Sequence, residues 1–168
     1  MIVAFDANCL VRWSSTAKED SDSKARLEHF VDTVAAEGGR IVIPTPAFAE
    51  FLVGLDEAAM AWIETLDRKR SIQVAPLDRR AAFECSLLDK AALNLGDKKG
   101  GRKEPWQRIK IDRQIVAIAR VSRAEVIVSD DTGLRSTATA VGLKALSIKD
   151  LPLPDSAKQG KLDLTHPS

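Results

Sequence analysis

Five carboxylates stand where an α/β chain could bring them to one place. Asp6 closes the apolar run at residues 2–5, and Asn8 follows two positions on. Glu50 sits among Phe48, Ala49, Phe51 and Leu52, an apolar setting for a charge. Asp112 heads the stretch Asp-Arg-Gln-Ile-Val-Ala-Ile-Ala, and Asp130 and Asp131 follow Ser129 after the apolar run 126–128. Taken singly, Asp112, Asp130 and Asp131 read as helix N-caps, with Ser129 competing for that job, and Glu50 as a solvated charge. Taken together they imply more, because several carboxylates in one pocket repel one another and cannot all stay ionised without a cation. A hard divalent ion such as Mg²⁺ or Mn²⁺, which prefers oxygen ligands, removes that conflict. The histidines are His29, in a helical stretch, and His166, near the C-terminus, so a zinc site or a histidine base is poorly supported. A carboxylate-only metal site suits phosphoryl chemistry, in which the ion activates water and stabilises the leaving oxygen of a phosphodiester.

The positions of these acids depend on the elements around them. Short apolar runs at 2–5, 41–43, 72–74, 126–128 and 143–148 read as strands, the first buried on both faces. Between them lie stretches with helical periodicity. A short helical turn is expected over 8–13 and a polar loop over 14–23. Helices follow at 24–36 (Leu27, Phe30, Val31 and Val34 inward, Gly38-Gly39 as the stop), after Thr45 as cap, and after Asp56 as cap. Another runs from the Asp78 cap to about 93, with Phe83, Leu87, Leu88 and Ala91 inward. A helix opening at Asp112 and running to 122, and one ending near Val141 before Gly142, complete the set. Strands alternating with helices imply parallel pairing and right-handed crossovers, hence a three-layer α/β/α domain. An acid at the carboxyl end of a central strand lies where open α/β sheets keep their ligands.

Composition narrows the alternatives. The 168 residues carry a net charge of +1, with 45% hydrophobic and 29% charged residues, values of an ordinary globular domain with no overall field toward nucleic acid or membrane. Cys9 and Cys85 form no paired motif and read as free thiols. No basic segment precedes the first apolar run, and no run nears the roughly 20 residues a membrane helix needs. A cytoplasmic protein with no membrane partner is the expectation.

The acids, in their order and local strings, resemble the PIN-domain nucleases, above all the VapC-like toxins of bacterial and archaeal toxin–antitoxin pairs. The strings are Asp6-Ala7-Asn8, Ala-Phe-Ala-Glu50-Phe-Leu, Asp112-Arg-Gln-Ile-Val-Ala and Ser129-Asp130-Asp131-Thr-Gly-Leu. The likeness spans residues 1–151 and leaves 152–168 as a polar, proline-containing tail. It implies a five-stranded parallel sheet and a Mg²⁺- or Mn²⁺-dependent endoribonuclease. Asp6, Glu50, Asp112 and Asp131 match the acidic quartet, with Asp6, Asp112 and Asp131 as metal ligands. Asn8, Ser129 and Asp130 support the site: Ser129 is the hydroxyl that bonds the cluster, and Asp130 fills the variable slot before Asp131. An RNA substrate, a cognate antitoxin and a homodimer are the implied partners.

Residues 94–110 depart from a compact toxin in being long, Gly-rich and basic. Lys98, Lys99, Arg102, Lys103 and Arg108 could hold RNA phosphates while Trp106 stacks on a base; the competing reading is a solvated loop. Phe51, Leu52, Leu55, Met60 and Trp62 read as core, or, where exposed, as a groove for an antitoxin segment or a second copy. Cys9 reads as a small buried hydrophobe. A haloacid-dehalogenase-type phosphatase would need a second Asp where Asn8 stands. Neither that fold nor a response-regulator receiver explains Glu50 and Asp112 together. A catalytically inactive PIN-like module that binds RNA or protein is the remaining alternative, and the intact acids argue against it.

Overall fold

The computed structural model describes residues 1–55 and 57–157. The N-terminal apolar run becomes the central strand, β1 (Ile2–Phe5), paired in parallel with β2 (Arg40–Pro44) on one side and β4 (Val126–Val128) on the other. The strands β3 (Ile72–Ala75) and β5 (Lys144–Leu146) complete a parallel sheet of order β3-β2-β1-β4-β5. Alternate side chains of β1 serve opposite faces. Val3 and Phe5 join Ile41, Ile43, Leu27 and Val31 in one core, and Ala4 joins Ile127, Ile115 and Leu134 in the other. The architecture is therefore the expected three-layer α/β/α domain.

The first face carries α1 (Ala7–Ser14), α2 (Ser21–Ala36) and α3 (Thr45–Val53). Edge-to-face contacts of Trp62 with Trp13 (5.1 Å) and Phe51 (5.6 Å) bind α4 (Glu57–Asp67) to them. Phe51 and Trp62 are thus core, whereas Leu52 and Met60 are exposed. Asp56, expected to cap α4, lies outside the described residues, as do His166 and the last eleven positions. Ile148 and Leu151 still pack into the core, beyond the last strand.

On the second face lie α6 (Trp106–Val121) and α7 (Thr132–Ala140), with α5 (Arg79–Asn94) against α6. Asp78 caps α5 by accepting from the Ala81 amide, as the sequence implies. The inward face of α5 is turned from the expectation: Ala81 and Ala92 are buried and Leu88 partly so, while Phe83 (67% exposed), Leu87 and Ala91 face solvent. The ion pairs Asp89–Arg113 and Glu84–Arg120 run along the α5–α6 seam and fix that rotation.

Other boundaries shift for local reasons. The 14–23 stretch is not all loop: a 3₁₀ turn at Lys18–Asp20 leads into α2, and buried Asp20 pairs with Arg12. Thr45 does not cap α3; it is the first helical residue, and its Oγ1 accepts from the Leu77 amide (3.3 Å). The last strand is shorter than expected, at three residues. The largest shift is in α6, which starts at Trp106 rather than Asp112. Pro105, with its fixed φ, precedes the first turn. Ile109, Asp112, Val116 and Ala119 then form one buried stripe at helical spacing.

At the end of α2, Gly38 adopts φ +71°, and the Gly39 amide returns to Val34 O at 2.8 Å, turning the chain into β2. A methyl group on Gly39 would collide with the Met1 carbonyl and lie 2.8 Å from Val34 Cγ1. Gly39→Ala is expected to destabilise the fold by about 1–3 kcal/mol, as overpacking does. Gly54→Ala, where the nearest atom is 4.0 Å away, should stay within about 0.5 kcal/mol. Urea unfolding of the two variants against wild type measures the difference.

Candidate acidic active site

In each crossover the helix runs back antiparallel to its strand, so its N-terminus lies at the sheet's carboxyl edge. There β1 ends at Asp6, whose Oδ1 accepts from the Ala7 amide (2.7 Å) and caps α1. The other oxygen, Oδ2, accepts from Asn8 Nδ2 and Ser129 Oγ, both at 2.7 Å. Asn8 Nδ2 also reaches Ser129 Oγ (3.2 Å), and its Oδ1 accepts from the Asp130 amide (3.0 Å). Ser129 Oγ in turn accepts from the Asp131 amide (3.0 Å). One buried hydroxyl therefore serves both Asp6 and the turn that carries Asp131.

Asp131 has two jobs. Its Oδ1 caps α7 through the amides of Gly133 (2.7 Å) and Leu134 (3.0 Å), and its Oδ2 pairs with Arg108. Asp112 lies six residues into α6, about 9 Å along the axis. It is buried and faces Arg102, whose Nη2 is 2.7 Å from Oδ2. Arg102 also grips Glu104 (2.9 Å) and donates to Thr137 Oγ1 (3.1 Å). It lies across the first turn of α7, where a side chain on residue 133 would displace the guanidinium from its present position.

Asp6, Asn8, Glu50, Arg108, Asp112 and Asp131 line one open cleft of about 1340 Å³. Glu50 enters from α3, exposed, on the β2 side. Asp130 turns away and accepts from the Ile148 amide (3.0 Å). Lys98, Lys99 and Lys103 are not among the cleft residues. Trp106, expected to stack on a base, lies under the Lys98 ammonium (5.2 Å) and the Arg113 guanidinium (5.4 Å). Sequence reasoning missed Glu104, Thr137 and the apolar rim of Val11, Val53, Leu77 and Ile111. The apolar stripe through Ile109 and Val116 was the available signal that Asp112 is buried inside a helix.

Charge explains the arrangement. Burial pushes the Asp6 carboxyl up to about 6, aided by the charges of Glu50 and Asp131 and opposed by the Ser129 hydroxyl and the Ala7 amide. Burial also raises Asp112, against the pull of Arg102. Asp131 is held below the usual range: burial acts upward, but Arg108 and the α7 amides outweigh it. Among the described residues no three acids close to ligand spacing, and Arg102 lies against Asp112 and Arg108 against Asp131. The donor set nevertheless suits an oxygen-preferring divalent ion. Its members are carboxylates, and buried Asp112 Oδ2, though ion-paired, accepts no hydrogen bond of acceptable geometry.

Fold and site together define a small parallel α/β domain with a carboxylate cleft at the carboxyl edge of its sheet. The PIN domain model matches residues 3–140, and the chain belongs to that family. Solved structures share the fold at low identity. One is the crystal structure of VapBC2 from Rickettsia felis bound to a DNA fragment from their promoter, with 13% identity and TM-score 0.57 over 88% of this chain and 98% of that one. Another is VapBC-1 from nontypeable Haemophilus influenzae, with 15% identity and TM-score 0.56 over 89% and 99%. Among curated proteins none matches.

The raised Asp6 pKa has a consequence for stability. Below about pH 4 both folded and unfolded chains hold the proton. Between about 4 and about 6 the folded chain alone holds it, and above that neither does, so stability falls as pH rises through this window. A displacement from 3.8 to about 6 corresponds to about 3 kcal/mol. In EDTA, Asp6→Asn should leave stability at pH 4 nearly unchanged and raise it at pH 7–8. Thermal melts of both proteins across that range test the sign.

Proposed function

We propose that the protein is a Mg²⁺- or Mn²⁺-dependent endoribonuclease and the toxin of a toxin–antitoxin pair. The observation that carries this reading is the convergence of Asp6, Glu50, Asp112 and Asp131 on one cleft. Asp6, Asp112 and Asp131 would hold the ion. Bound there, it would activate water and stabilise the leaving oxygen of an RNA phosphodiester. Asn8 and Ser129 aim Asp6 Oδ2, which keeps the acid fixed while its charge is buried. Glu50, opposite α6, has a carboxylate in the cleft that can take the proton of the attacking water. Arg108, exposed in the cleft and paired with Asp131, would meet a phosphate oxygen of the substrate. Lys98, Lys99 and Lys103, on the segment before α6, extend the positive charge beside the cleft. Trp106 and Arg102 anchor that segment to the domain.

The partner follows from the same surface. The cleft's rim of Val11, Val53, Leu77 and Ile111 is apolar and partly exposed, which suits a hydrophobic protein segment laid over the acids. The VapBC assemblies that share the fold support an antitoxin in that role. The exposed Leu52 and Met60 suit a second copy of the chain. The nuclease unit is 1–151 with a tail from 152. A cytoplasmic location accords with such a pair; no helix of the described residues is long and apolar enough to cross a membrane.

With Mg²⁺, single-stranded RNA should be cut internally, and EDTA should stop the reaction. Asp6→Asn or Asp112→Asn should lower kcat by at least about a hundredfold, the scale expected when a group that stabilises transition-state charge is removed. Mg²⁺ should also raise the melting temperature of wild type above pH 6 and not that of Asp6→Asn. Turnover of a phosphomonoester in place of RNA would overturn the assignment.

A further inference from the structure

A second cavity, of about 450 Å³, runs along the outer strands on the α5–α6 side of the sheet. Arg40 at the start of β2, Arg80 in the first turn of α5 and Arg123 just past α6 line it, with Gln73 and Ser122 between them. Among the described residues none of the three arginines makes an ion pair or a side-chain hydrogen bond. Among the described residues the arginines at 68, 70 and 79 likewise show no ion pair or side-chain hydrogen bond; what sets Arg40, Arg80 and Arg123 apart is that they share one concavity. The acid in the lining is Asp78, and its Oδ1 is committed to capping α5. The groove is therefore a concentration of positive potential in a chain whose net charge is +1.

Arg123 supplies an independent observation. It has φ +60°, the one non-glycine residue of the described chain in the left-handed region. The turn around it is the usual glycine-ended helix stop: the Arg123 amide returns to Arg120 O and the Ala124 amide to Ala119 O, both at 2.9 Å. Glycine would fit that slot with less strain. An arginine kept there at a conformational cost, with its side chain in a groove beside two others, calls for a function for the charge.

Position supplies the ligand. Pro76 and Asp78 line the arginine groove and Leu77 between them lines the acidic cleft, so the β3–α5 connection lies between the two cavities, with Arg80 at the near end of the groove and Arg40 and Arg123 at the far one, by the amino edge of the sheet. The groove follows the four residues of β3, about 13 Å, long enough for a short run of phosphates. Guanidinium groups bind phosphate through paired N–H donors. We propose that Arg40, Arg80 and Arg123 form a phosphate-binding subsite for the RNA strand that leaves the acidic cleft past Leu77. The choice of RNA as ligand rests on the nuclease reading; the anion site itself does not.

The test is binding without cleavage. The probe is a fluorescein-labelled mixed-sequence single-stranded RNA in EDTA, with anisotropy read against salt. For Arg40→Gln/Arg80→Gln/Arg123→Gln the expected result is at least a tenfold loss of affinity. The plot of log Kobs against log salt should be shallower by about 2, since each single-strand phosphate contact contributes about 0.7. Arg123→Gly separates charge from folding: it should raise the melting temperature, by relieving the backbone, while weakening RNA binding. Unchanged affinity and slope in both variants would overturn the proposal. So would polyglutamate bound at the same three arginines as tightly as RNA, which would mark the groove as a site for an acidic protein segment. Mg²⁺-dependent cleavage by wild type is measured separately. Groove-dependent binding without cleavage would remove the nuclease reading and leave the anion site. Cleavage with binding indifferent to the arginines would do the reverse.

Discussion

The structure depends on one buried carboxylate that three donors hold in place. Asp6 closes the central strand, starts the first helix through its own cap, and accepts from Asn8 and from the Ser129 hydroxyl at the end of the neighbouring strand. These bonds add a side-chain link between the carboxyl ends of β1 and β4 to the backbone bond from the Asp6 amide to Val128 O (3.2 Å). They also fix the turn that aims Asp131. A carboxylate so placed is costly to ionise, and its surroundings accept the cost because the charge is wanted at the edge of the sheet. Burial and the charges of Glu50 and Asp131 oppose ionisation of this residue, and the Ser129 hydroxyl and Ala7 amide partly offset them.

The chain places counter-charges of its own beside the acids. Arg102 and Arg108 lie against Asp112 and Asp131, and the two arginines differ in kind. Arg108 is solvent-facing and can swing away at little cost. Arg102 is 14% exposed and fixed by Glu104, Thr137 and the close surface of Gly133, so it behaves as part of the wall. Arg102 and Arg108 thus offset the charges of Asp112 and Asp131, and Arg108 also interacts electrostatically with Glu50 in the same cleft.

Much of this was legible in the sequence. The five apolar runs became the five strands, and the alternation of strand and helix determined the parallel order, because that periodicity is the direct imprint of two-sided burial. Asp6, Asp130 and Asp131 could be picked out as acids at strand ends, Asp112 as one heading a helical stretch and Glu50 as one in an apolar setting, while the choice of Asp131 over Asp130 came from the family resemblance. The sequence was misleading where charge density was taken for loop: residues 106–111 are helical because Ile109 continues the buried stripe of α6 beneath Arg108 and Lys110. It misled again in α5, where Phe83 and Leu87 look like core by hydrophobicity. The seam with α6 is set instead by small residues and two ion pairs, a tertiary choice that local pattern does not encode.

The three tryptophans divide between the two parts of the molecule that matter most. Trp13 and Trp62 are packed edge to face in the core beneath α1, α3 and α4. Trp106 opens α6, between the cleft-lining residues Pro105 and Gln107, and packs against a lysine and an arginine. Indole emission responds to nearby charge and to exposure. The chain therefore carries two intrinsic optical reporters: one pair follows loss of the interior, and the third follows rearrangement of the basic segment beside the acids. Replacing Trp106 with Phe would leave a signal from the interior alone, and the difference spectrum would isolate events at the mouth of the cleft.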